Sequence, residues 1–428
     1  MSLFTALSSG TTGLESSSLD LSVIGDNIAN ANTIGFKLGR ASFEDALTQN
    51  IIGGSGEVGL GSQLEAVQKI LTQGALTSTG NATDLALQGN GFFIVSGDYN
   101  GQTGAYYTRD GQFTIDKDGY LVNLEGLRVQ GFSANASGTV SGLPGDLLVG
   151  TASAQPQATA NITIKANLDA SDDAEAAAFD PTDSSTYNFT TSLAVYDTLG
   201  AAHQTQVFFQ KTADGSWDWH AMTDGGGLQG GTAGTLTEIA SGTLTFDSNG
   251  KLQTSTQNAV QFNPLGATAP QTLTFNFGDP TGSGGTGLAG VTQFSSTSAS
   301  TFIGQDGFGS GQLSSIKVDS QGTIDGTFTN GQTRVLGQVA VANFSAPDQM
   351  QSVGGNLYSQ SQQSGQPVVG APGAGGRASV ISGSLEQSNV DLAQQFVDMI
   401  AAQRSFEANS KSITTADQLL SELIAMKR

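Results

Sequence analysis

Cysteine is absent from the 428 residues, so neither a disulfide nor a thiolate metal site can form. Histidine is almost as scarce. His203 and His220 are the only two, and no His-x-x-x-His or Glu-x-x-His pairing exists to hold zinc. Neither lies near a Gly-x-Ser-x-Gly elbow, so a hydrolase triad lacks its base. Basic residues are few: 16 Lys and Arg stand against 37 Asp and Glu, for a net charge of −21. A nucleic-acid backbone and an anionic membrane surface would both be repelled. No apolar run reaches 18 residues, so no membrane-spanning helix is expected. The start, Met1-Ser2-Leu3-Phe4-Thr5-Ala6-Leu7, has neither a basic n-region nor an apolar h-region, so a cleaved Sec-type signal is not expected. Proline is confined to the stretch from Pro144 to Pro372, which leaves both ends free of the strongest helix breaker.

What the chain does have is glycine, 58 in all, and two ends with helical periodicity. From Leu385 a 4-3 spacing runs through Asn389, Leu392, Phe396, Met399, Gln403, Phe406, Ser410, Ile413, Asp417, Leu420 and Ile424, mostly apolar. Val397, Ile400, Leu419 and Leu423 widen that stripe. Ser388 or Asn389 is the expected N-cap, and Lys427 and Arg428 suit the negative end of the dipole. A weaker seam at the other end comprises Leu3, Leu7, Gly10, Leu14, Ser17, Leu21, Ile24 and Ile28. Its serines and glycines lower helix propensity, so this helix needs a partner surface. Two partners are open: the other end of the same chain, in an antiparallel hairpin, or other copies. In the second case residues 1–30 and 390–428 should be loosely held in the free chain and order on assembly.

Between the ends the text is β-like. Gly91–Val95 reads as a strand, and Tyr107–Ile115, Asp116-Lys117-Asp118-Gly119 and Tyr120-Leu121-Val122 read as strand, turn, strand. A similar phrase recurs at Leu313–Ile324, as expected for one sheet-rich domain interrupted by an insertion. The insertion, 158–300, holds 13 acidic residues and three lysines. The expected fold is α+β and mainly β: terminal α-helices form a coiled-coil-like inner domain (1–32 and 385–428). Extended linkers follow (33–75 and 355–384), then a β-rich domain (76–157 and 301–354) and the inserted β-rich outer domain.

Candidate chemistry is thin. Thr114–Glu125 matches a calcium loop at four positions but lacks the first carboxylate, and Asp-x-Asp-Gly is also a good hairpin turn. Trp217-Asp218-Trp219-His220 could stack on a sugar, although alternating aromatics more often face one side of a strand. No catalytic, metal or cofactor site is expected.

Two longer motifs carry a family resemblance. Asp26-Asn27-Ile28-Ala29-Asn30-Ala31-Asn32-Thr33-Ile34-Gly35-Phe36-Lys37 resembles the signature of bacterial flagellar axial proteins, the rod, hook and hook-associated subunits. Ser388-Asn389-Val390-Asp391-Leu392 and Met399–Asn409, with Gln403 and Arg404, resemble its C-terminal partner. Tyr196-Asp197-Thr198-Leu199-Gly200 with His203 resembles a hook-type motif, and Leu336–Phe344 is also similar to hook sequences. The resemblance implies a structural, non-enzymatic subunit of a hollow, curved, flexible tube outside the cell. That tube would act as a universal joint passing torque from rod to filament. It implies no cofactor, and export through a type III apparatus without a cleaved signal. Implied partners are other copies, the distal rod protein, the hook cap, the hook–filament junction protein and a hook-length control protein. A distal-rod or hook-associated subunit is the rival within the family. A secreted β-rich glycan-binding protein is the rival outside it.

Overall fold

The computed structural model describes residues 3–46, 49–50, 57–58, 61–135, 138–258 and 262–426, with the side chains of residues 3–6, 49–50, 57–58 and 423 outside that description. The chain forms two compact units. The first comprises Met1–Ala152, Leu313–Thr327 and Thr333–Arg428, and the second Ser153–Gln312 and Phe328–Gln332.

In the first unit, helix α1 (Leu3–Ala29) and helix α2 (Leu392–Met426) pair antiparallel. The other side of α1 packs on an antiparallel hairpin, Gly39–Asp45 with Ser62–Lys69. The unit's main sheet is antiparallel: Thr323–Phe328, Thr333–Val339, Arg128–Ser133, Phe92–Tyr99, Gln102–Thr108, Leu357–Ser359 and Gln351–Gly354. Arg128–Ser133 thus pairs with a strand some 200 residues later, as an interrupted domain requires. Its core sets Phe92, Tyr107, Phe344 and Tyr358 edge to face.

The second unit has a five-stranded meander in chain order, from Phe189–Tyr196 to Leu252–Ser255. Beside it in the same core stands Asn161–Asp169, whose Ile162, Ile164, Ala166 and Leu168 all point inward. Trp217 and Trp219 are 0 % exposed within this core, so they are not a sugar platform. Alternation along Ser216–Asp224 puts both on the inner face.

Among the described residues one turn recurs four times: Asp116–Gly119, Asp197–Gly200, Asp247–Gly250 and Asp319–Gly322. In each, the glycine N–H donates to the aspartate carbonyl, and the glycine takes a positive φ of 74–88°. The aspartate Oδ1 accepts from the amides two and four residues on, at 2.8–2.9 Å. The Oδ1 atoms are spent on backbone geometry, and Asp197 Oδ2 in addition faces His203 Nε2 at 3.2 Å. The partial calcium motif is the first of these turns, closing Thr114–Ile115 against Leu121–Val122.

Candidate assembly face and helix–sheet junction

α2 begins at Leu392, later than its periodicity predicts. Leu385 lies instead in the strand Ser384–Glu386, paired with Leu76–Ser78 and fully buried. An apolar residue between polar ones fits a strand as well as a helix, and burial on both faces decided it. The cap is Asp391, whose Oδ1 accepts from the Ala393 and Gln394 amides at 2.9 and 3.3 Å. Ser388 Oγ accepts from Val390 N–H.

The helix pairing uses an unexpected face. Asn27 Nδ2 donates to Gln395 Oε1 at 2.9 Å, and Ser17 Oγ to Ser405 Oγ at 3.3 Å. Gly13 lies against Asn409 and Gly10 against Ile413, so close that a Cβ would fall 2.7–2.8 Å from them. Gln395, Ala402 and Ala416 are each 6 % exposed. The helices therefore meet mainly on small and polar residues, with Ile413 of the predicted stripe turned inward against Gly10. The predicted α2 stripe faces mostly outward: Leu392, Phe396, Phe406 and Ile424 are exposed, with Val397 and Ile400 beside them. Met399, Ile413 and Leu420 are half-buried, and Gln403 and Arg404 are exposed. On α1, Ile24 is buried and Leu7, Leu14, Leu21 and Ile28 are half-buried, while the Leu3 side chain lies outside the described residues. The hairpin partner expected from sequence is present, but it leaves the apolar stripe of α2 uncovered.

The N-terminal motif is the joint between α1 and the sheets. Asn27 is 1 % exposed; its Oδ1 accepts from Gly39 N–H and its Nδ2 donates to Gly39 O, both at 2.8 Å. Asn30 Nδ2 donates to Asp26 O, and Thr33 Oγ1 to Asn30 Oδ1. Ala29 and Asn32 are exposed. Gly35 turns the chain at φ +68° and its N–H donates to the Glu386 carbonyl. A Cβ there would stand 2.6 Å from the Asp110 amide nitrogen. Gly35→Ala therefore combines a disfavoured φ with a backbone clash, and should lower the unfolding free energy by about 2–4 kcal/mol. Urea unfolding followed by circular dichroism checks this; a loss under about 1 kcal/mol would refute the clash. Phe36 is buried with the Lys69 ammonium 4.9 Å over its ring. From the C-terminal motif, Asn389 Oδ1 accepts from Leu38 N–H, and its Nδ2 donates to Ile70 O and Thr72.

A buried ion cluster lies at this joint. Glu386 accepts from Lys37 Nζ at 2.6 Å and from Arg109 Nη1 at 3.2 Å, and all three side chains are at most 4 % exposed. Lys37 Nζ also donates to Thr72 O, Arg109 Nη2 to Gly89 O, and Gly74 N–H to Glu386. Burial pushes both cations below their usual range, and Glu386 opposes that shift. Glu386 and Arg109 were invisible to motif reading. Their only signal was a charge embedded in a buried apolar phrase.

Next to the cluster, burial pushes the Asp110 carboxyl up to about 6, helped by Glu125 and Asp84 and opposed by the Gln112 amide. Because this lies above the usual 3.8, the folded state holds the proton more tightly. That stabilisation is full below pH 3.8 and is lost as pH rises through 6. Asp110→Asn keeps the acceptor and removes the charge. It should stabilise the chain by about 1–2 kcal/mol at pH 7.5, screening included, and by little at pH 4. Equal effects at both pH values in denaturant titrations would refute the assignment.

Family models match four segments of the chain. They are described as "Flagella basal body rod protein" (7–37), "Flagellar hook protein FlgE/F/G D1 domain" (86–172), "Flagellar basal body protein FlaE D2 domain" (167–308) and "Flagellar basal body rod FlgEFG protein C-terminal" (381–426). Both helical ends and both β regions are thus those of the flagellar rod and hook class. The flagellar hook protein FlgE of Borreliella burgdorferi is 34 % identical over 99 % of this chain and 99 % of its own length. That of Salmonella typhimurium is 33 % identical over 99 % and 100 %. Among solved structures, Helicobacter pylori flagellar hook protein FlgE2 matches 73 % of this chain and all of that one, with 14 % identity and a TM-score of 0.47. The chain belongs to the flagellar hook protein FlgE family. It is a structural subunit of the hook, not an enzyme, and the family polymerises into the hook and joins the rod.

Proposed function

We propose that this subunit polymerises through its helical ends, with the outward stripe of α2 (Leu392, Phe396, Met399, Phe406, Leu420 and Ile424) closing on other copies, while Ile413 is spent on the contact with Gly10 inside the subunit. α1 would contribute Leu3, Leu7, Leu14, Leu21, Ile24 and Ile28. The observation that carries this reading is that the apolar face of α2 is exposed while the intrachain pairing is small and polar. Water-exposed Phe and Ile at helical spacing are costly to leave uncovered. The joint built on Asn27, Asn30, Thr33, Gly35, Phe36, Ser388, Asn389, Val390 and Asp391 would transmit load from the helices to the sheets.

In this reading the helices line a hollow, curved and flexible tube that transmits torque from rod to filament. Export runs through the type III apparatus without a cleaved signal. Assembly contacts are to the distal rod protein, the hook cap, the hook–filament junction protein and the length-control protein. Electron microscopy of the purified full chain tests the core of this. Hollow helical tubes are expected, and monomers at every concentration and salt condition that keeps the chain folded would overturn it.

A further inference from the structure

α1, α2 and the strand Gly39–Asp45 leave a groove of about 520 Å³ between them. Val23, Ile24, Leu38 and Ala402 make its walls apolar, and Asp20 of α1 and Asp398 of α2 both open into it. A second hollow of about 300 Å³ continues along the helices and shares Asp20, Ala402 and Ser405. Neither carboxylate is in an ion pair among the described residues. Asp398 accepts from Gln394 Nε2 at 2.8 Å and from Gln395 Nε2 at 3.3 Å, which leaves its charge uncompensated. Arg40 lines the same groove, but its guanidinium donates to Gln68 Oε1 at 2.9 Å. Burial, and then Asp398, push the Asp20 carboxyl above its usual range. The helices thus hold two like charges along a half-apolar trough.

The described parts of the two helices carry two cations, Arg404 and Lys411, both exposed and in no ion pair among the described residues. Lys411 follows Glu407 by four residues, on a polar stretch. Arg404 follows Ile400 by four, so it is carried on the outward apolar stripe. Its planar fork suits two carboxylates better than an ammonium does.

We propose that this groove receives α2 of a second copy, with that copy's Arg404 set between Asp20 and Asp398 and its Ile400 against the apolar wall. The proposal rests on the assembly reading above and adds to it a defined, directional contact. Such a contact is heterologous: the key lies on one surface of α2 and the lock on another, which generates a helical polymer rather than a closed dimer.

Charge reversal in the full chain tests it. Arg404→Glu and Asp398→Lys, made separately, should each raise the critical concentration for polymerisation about tenfold or more. Both should keep the parent's helical circular dichroism. An equimolar mixture of the two variants, and the double variant R404E/D398K, should return to within about threefold of the parent, because each then restores opposite charges between copies. Parental polymerisation by R404E, or failure of both the mixture and the double variant to recover, would overturn the proposal while parental tubes leave the assembly reading intact. A parent chain that forms no tubes would remove both.

Discussion

Glu386→Gln should cost about 3–5 kcal/mol of unfolding free energy, a large part of what a domain of ordinary stability has. The substitution keeps shape and two polar atoms, so packing is nearly unchanged. What it removes is, among the described residues, the only carboxylate in an ion pair with Lys37 and Arg109, both buried. Two cations would then share an apolar joint with no counter-charge. Arg109 is already poorly served, since its buried Nε has no partner among the described residues. The effect should be local in origin and wide in reach. Lys37 follows α1, Glu386 precedes α2 and Arg109 belongs to the sheet region, so the cluster ties both helices to the β structure. Amide exchange should accelerate first in Leu76–Ser78 and Ser384–Glu386. Adding Lys37→Met to Glu386→Gln should recover part of the loss, because one unpaired buried charge is then gone. Urea titration by circular dichroism measures both. A Glu386→Gln loss below about 1 kcal/mol, or a double variant weaker than the single one, would show that the cluster is not the clamp described.

Phe396→Asp with Ile400→Asp should leave the monomer almost untouched and abolish polymerisation. The two residues are 50 % and 57 % exposed in the free chain, so their loss should change its stability by no more than about 0.5 kcal/mol each. Covered by another copy, each would contribute about 1.5–3 kcal/mol, and a carboxylate in its place would add a desolvation cost. The critical concentration should therefore rise at least about a hundredfold. Sedimentation of polymer gives that figure, and monomer unfolding gives the control. Amide exchange supplies a second view: α2 of the parent, already paired with α1 in the monomer, should gain further protection in the polymer. Unaltered polymer yield from the double variant would mean that the outward stripe is not the assembly face.

Much of this is legible in the sequence. Two proline-free ends with helical spacing foretold α1 and α2, and Asp-x-x-Gly phrases foretold hairpins, because both signals are local. The start of α2 was misplaced because Leu385 satisfies periods of 2 and 3.5 alike, and pairing with Leu76–Ser78 settled it. The choice between the two readings of Trp217 and Trp219 was settled the same way, by burial.

The sequence by itself determined that both ends carry a helix, that Asp116–Gly119 makes a turn, and that a disulfide or thiolate metal site cannot form. These depend on propensity, period and residue type along a short stretch. Only the tertiary structure decided which helix face meets which. A heptad stripe states that a surface wants cover, not whether cover comes from the same chain. Gly10, Gly13 and Ser17 let the backbones of α1 and α2 approach on their small faces, and that close approach left the apolar face free. Likewise, Lys37, Arg109 and Glu386 are remote in sequence, and folding alone made them one buried cluster.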